Sequence, residues 1–137
     1  MIRIILRSLM GLIFVVFGSN MFLHFLPNPP MPAAAMDLFG ALFKTGYFIP
    51  MIGATQVIAG VLLLTGMMVP FALVLIAPVV VNILMFHLFL APGGLPLAAI
   101  VVALEVILVW MHREAFAPLF SGGSAEVRST MGARAHA

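Results

Sequence analysis

Six residues draw attention because each interrupts an apolar run: Asn20, His24, Gln56, Asn82, His87 and Glu105. An amide, imidazole or carboxyl in such surroundings costs free energy unless it is hydrogen-bonded, and a charge at the centre of a membrane helix costs of order 3 kcal/mol on insertion scales. An ionisable group retained there is a functional suspect, either as a proton carrier or as a ligand contact. Glu105 is the candidate catalytic residue, as a proton carrier, and Asn20, His24, Gln56, Asn82 and His87 are the candidate ligand-binding residues. No metal site is expected. The absence of cysteine removes thiolate ligands, disulfides and thiol redox chemistry, and the 11 methionines are read as soft packing residues.

The elements that must position these residues are set by the solvent. Hydrophobic residues make up 64% of the chain and charged residues 7%, where a soluble domain carries about a quarter charged. Mean hydropathy is +1.27. At roughly 20 residues per crossing, 137 residues hold about four crossings with little left over. The net charge of +2 is too small and too scattered for nucleic-acid binding. The fold class is therefore all-α, a polytopic membrane protein built as a four-transmembrane-helix bundle.

Spans are expected at about 5–26, 47–66, 69–90 and 95–113 within a transmembrane domain covering 1–120. The first apolar stretch exceeds the usual signal-peptide core of about 7–15 residues and reads as a retained crossing. "LPNPPMP" and "APGGLP" interrupt helices, while Pro70 and Pro96 suit helix starts, where a missing N–H does no harm. The segment 121–137 is small and polar without an apolar face, and reads as a disordered cytoplasmic tail. Between the first two spans, Ala35, Leu38, Phe39, Leu42 and Phe43 follow the spacing of one helical face. This predicts a short interfacial helix at about 32–45, with Asp37 and Lys44 toward water, acting either as a packed linker or as a lid.

Four crossings place both termini on one side. That side holds Arg3, Arg7, Arg113, Arg128 and Arg134 against Lys44 alone on the other, so the positive-inside rule puts both termini in the cytoplasm. In that orientation His24 and His87 lie within about one turn of the outer helix ends, Asn20 and Asn82 one to two turns down, and Gln56 and Glu105 near the midplane. The set predicts a polar funnel opening outward. Asn20 and His24 share a face, and Gly53, Gln56 and Gly60 form a stripe that permits close helix approach. Asn82 and His87 lie roughly 140° apart on an ideal helix, and a bend at Pro78, which removes the hydrogen bond to the Val74 carbonyl, is the means of re-aiming them. Of the two, Asn82 is the better candidate for the interior. Trp110, beside His112 and Arg113, is read as an interfacial anchor. Gly11 and Gly18 offer a packing stripe for a homodimer.

"GLIFVVFGSNMFLHFLP", "GYFIPMIGATQVIAGVLLLTG", "APVVVNILMFHLFLAPGGLP" and "LEVILVWMHREAFAPLF" together resemble the DoxX-like family of small bacterial membrane proteins. The resemblance implies a four-helix protein of the bacterial inner membrane, in a family named through a membrane subunit of a thiosulfate:quinone oxidoreductase. Other members are linked to membrane oxidoreductase complexes and oxidative stress. The matching polar positions are Asn20, His24, Asn82, His87 and Glu105. Gln56 departs from the pattern, where members often carry Glu, and the "TGMMVP" turn lacks the arginine often found there.

Several functions compete. A quinone-interacting subunit would use His24, Asn82 and His87 as donors to the head group and Glu105 as proton carrier, with electrons from a soluble or membrane redox partner. A haem held axially by His24 and His87 is a less favoured cofactor, since no second histidine pair or C-x-x-C-H is present. A non-catalytic assembly module would use the polar residues only to hold helices together, with Glu105 as a neutral carboxyl bonded to Gln56 or Asn82. A solute carrier is disfavoured because the polar set reaches only one face.

Overall fold

The computed structural model describes residues 1–121 and contains six α-helices among them: α1 (Ile2–Leu23), α2 (Ala33–Lys44), α3 (Phe48–Thr65), α4 (Val69–Phe89), α5 (Leu95–Met111) and α6 (Arg113–Phe120). The tail expected to be disordered lies, apart from Ser121, outside the described residues. Four helical segments, Ile2–Leu23, Phe48–Thr65, Val69–Phe89 and Pro92–Met111, are long and apolar enough to cross a membrane. The chain is a multi-pass membrane protein. Large apolar side chains are exposed on every one of these helices, among them Phe17, Ile58, Val74 and Val106, as a bundle solvated by acyl chains requires.

Neighbouring helices run antiparallel, and α1, α3, α4 and α5 form a closed ring in that order, with α1 meeting α5 to complete it. The core runs through all four, from Met10 and Phe14 through Leu63, Leu73 and Ile76 to Leu108. The most extensive seam joins α1 to α3, and glycine makes it possible. A Cβ on Gly11 would stand 2.8 Å from the Gly60 carbonyl oxygen, and one on Gly60 would stand 2.8 Å from that of Gly11. Gly18 and Gly53 repeat the reciprocal arrangement at 2.9 and 3.1 Å, about two turns further along. Each glycine thus gives its partner's backbone the space a side chain would fill, a geometry suited to Cα–H···O contacts. Gly11 and Gly18, expected to be available to a second subunit, are consumed within the chain.

Helix ends follow from local chemistry. α1 stops at Leu23, about a turn before expected, because His24 adopts a left-handed conformation (φ 50°, ψ 41°) and the Asn20 side chain accepts a hydrogen bond from the Leu26 N–H at 2.7 Å. α3 stops at Gly66 (φ 75°), and Arg7 reaches across from α1 to donate to the carbonyls of Leu63 (2.8 Å) and Leu64 (3.3 Å). The guanidinium lies where a Gly66 side chain would project. A cation on orphan carbonyls at a helix C-terminus satisfies both the hydrogen bonds and the helix dipole. α4 runs unbroken through Pro78, and α2 packs on α3 and α4, burying Ala35 and setting Phe39 edge-on to Phe86 at 5.3 Å. Its inward stripe is the buried Ala35 with the half-buried Phe39 and Leu42, while Leu38 and Phe43 stay exposed with Asp37 and Lys44.

We expect Gly60→Ala to destabilise the bundle by about 1–3 kcal/mol, because the backbone atoms facing its Cβ cannot move aside without parting α1 from α3. Gly40→Ala in α2, where nothing lies within 4 Å, should be neutral or stabilising. Thermal unfolding of both variants in mild detergent separates the two outcomes.

Candidate functional site

The six polar residues fall into three groups. Asn20, His24 and His87 gather at the end of the bundle covered by α2. The His24 ring lies 6.4 Å from Phe43, and the His87 ring stands edge-on to Phe86 at 5.2 Å. Both have local work: Asn20 and His24 end α1, and the His87 Nδ1–H donates to the Ala91 carbonyl at 2.9 Å, packing the ring over Gly94. A carbonyl only accepts, so Nδ1 carries a hydrogen and donates.

Asn82 is alone in its group. It is exposed on the outer side of α4, while Val79 and Val80 occupy the inner side, so the expectation that Asn82 faces the interior is overturned. Pro78 sits on the same exposed side and does not rotate the residues beyond it inward. His87, the less favoured of the two, is half-buried.

Gln56 and Glu105 form the third group, buried to 3% and 8% exposure on α3 and α5, which face each other across the ring. Gln56 lies in the α1–α3 seam, where a Cβ on Gly18 would stand 2.8 Å from its own Cβ. Its Oε1, and both carboxyl oxygens of Glu105, are buried without a hydrogen-bond partner. The cross-helix bond from Glu105 to Gln56 or Asn82 that a structural role requires is absent from the described residues.

Glu105 instead lines a cleft of about 510 Å³ between α4, α5 and α6. Ala77, Val106, Val109, Phe116 and Phe120 supply apolar walls, with Trp110 and Arg113 also in the lining. The guanidinium of Arg113 stacks on the Trp110 ring, 5.2 Å from its centroid, a cation–π geometry. Since Val106 and Trp110 are exposed on the bundle surface, the cleft opens sideways. A shallower groove of about 420 Å³ between α1 and α3, around Phe22 and Val57, contains none of the six residues.

The expected outward-opening funnel does not form. The cleft at Glu105 lies toward the end that carries α6 and the start of α1, opposite His24 and His87, and neither cleft is lined by a histidine. One wall of the cleft is α6, a helix that "REAFAPLF" forms beyond the end expected for the fourth span at about residue 113. The i, i+4 pair Phe116 and Phe120 on the Trp110 side was the available signal. Among the described residues no group of three or more His, Cys, Asp or Glu is placed to hold a metal ion. What remains is one carboxyl, buried and unpaired, beside the apolar wall of a cleft.

Comparison with family models, curated proteins and solved structures gives no match.

A buried carboxyl without a partner is a cost to the fold, so we expect Glu105→Leu to raise the stability of the bundle by about 1–3 kcal/mol. The midpoint of thermal unfolding in detergent reads this directly. A fall would mean that Glu105 bonds a neighbouring helix after all.

Proposed function

We propose that this chain is a quinone-associated subunit of a membrane oxidoreductase system, of the DoxX-like kind, and that the cleft at Glu105 receives the quinone head group. The observation that carries this reading is the coincidence of an unpartnered carboxyl with an apolar cleft open to the lipid phase. A quinone is a flat apolar ring with carbonyl acceptors and an isoprenoid tail, and it reaches its site through the bilayer. Val109, Phe116 and Phe120 suit the ring, Trp110 offers a stacking face, and Glu105, when protonated and turned into the cleft, donates to a quinone carbonyl.

Reduction of a quinone to a quinol consumes electrons and protons in equal number. Electrons come from a soluble or membrane redox partner, since this chain has no cysteine. Glu105 passes protons to the quinone oxygen and is recharged through the mouth of the cleft near Arg113. The distribution of arginines favours a bacterial inner-membrane setting with both termini in the cytoplasm, which makes the cytoplasm the proton source. Gln56 cannot serve as a second proton carrier and is read as an orienting amide in the α1–α3 seam.

Trp110 is the only tryptophan in the chain and lines the cleft, so it reports occupancy. Titrating a short-chain quinone into the purified protein should quench its emission saturably, and Glu105→Gln should weaken binding by about tenfold while leaving the unfolding midpoint near that of the parent. Quenching that is linear, or equal in parent and variant, would rule the quinone reading out and favour a non-catalytic assembly module.

A further inference from the structure

The outer face of α4 carries a problem that nothing else in the described chain resolves. Phe71, Val74, Pro78, Val81, Asn82 and Met85 are all exposed and fall within one stripe of the helix. Asn82 sits in that stripe about 10 Å along the axis from Phe89 and about 20 Å from Val69, well inside the apolar span. No side chain or backbone group of the described residues is hydrogen-bonded to its carboxamide. Acyl chains supply neither donors nor acceptors at that depth, so a stable partner must bring a polar group to the same level.

We infer that the Asn82 stripe of α4 is the interface on which two copies of this chain pair in the membrane. A carboxamide is both donor and acceptor, so the best partner for Asn82 is another Asn82. A two-fold axis along the membrane normal keeps both copies in the same orientation, sets the two α4 helices parallel, and brings the amides together at identical depth. An unrelated helix meets that depth requirement only by coincidence, whereas a second copy meets it by symmetry. The rest of the stripe is apolar and packs against itself. The glycines of α1, the other surface suited to close helix approach, are already filled by α3. This pairing does not rest on the quinone reading, for α4 contributes only Ala77 to the Glu105 cleft and none of the six stripe residues lines it.

The chain has no cysteine, so single cysteines can be placed without background. In the full-length protein in native membranes, Met85→Cys should oxidise to a disulfide-linked species of double mass. Ile58→Cys on α3 and Val106→Cys on α5, both at exposed positions, should not. In the Met85→Cys background, Asn82→Leu should lower the cross-linked yield about three- to tenfold, and Asn82→Gln should preserve it. The inference is overturned if the control positions cross-link as well as Met85→Cys does, if Asn82→Leu leaves the yield unchanged, or if Met85→Cys is captured by a different protein.

Discussion

Backbone-to-backbone contact between α1 and α3 is the constraint on which the other features depend. Inside a bilayer, helices gain little from excluding apolar surface, because the lipid is as apolar as they are, so association rests on how closely the helices approach. Gly11 against Gly60 and Gly18 against Gly53 bring the two helices together at matched steps and lock their register. A slip of one residue would drive a side chain into a carbonyl. With the register fixed, Gln56 is sealed against Gly18 and Arg7 arrives level with the last carbonyls of α3.

Against that rigid pair, the chain treats its intramembrane polar groups in contrasting ways. Those near the α2 end are used up locally: Asn20 and His87 satisfy backbone groups that helix termination leaves bare. The Glu105 carboxyl is buried and unsatisfied, beside a cleft walled by aromatic and aliphatic groups. Asn82 is turned to the lipid. A polar group left unpaired at depth is a cost that stability alone would remove, and Glu105 and Asn82 fit sites kept for an encounter rather than for the fold.

Much of this architecture was legible in the sequence. Length and hydropathy placed the four spans, proline and glycine placed the breaks, and Gly53, Gln56 and Gly60 marked a close-packing stripe. What escaped was facing. α3, α4 and α5 are apolar almost all round, so periodicity carries no information about which side looks inward. That is why the sequence favours Asn82 over His87 for the interior, whereas packing exposes Asn82 and leaves His87 half-buried at the end of α4. Depth along a helix is counted from its ends and was recoverable for Glu105, whereas the cleft beside it required α6, a short helix that lies beyond the apolar span.

The contact between Arg7 and the end of α3 also has a hereditary consequence. The guanidinium occupies the volume that any side chain at position 66 would need, and the left-handed turn there suits glycine for its own reasons. Replacing Gly66 would both strain the turn and evict the cap, while replacing Arg7 would leave carbonyls bare and a void beside the glycine. The two positions, far apart in the chain, therefore form a single unit of variation. Among descendants of this sequence they should be kept or lost together, a pairwise trace of α1–α3 docking that would persist after most other positions have drifted.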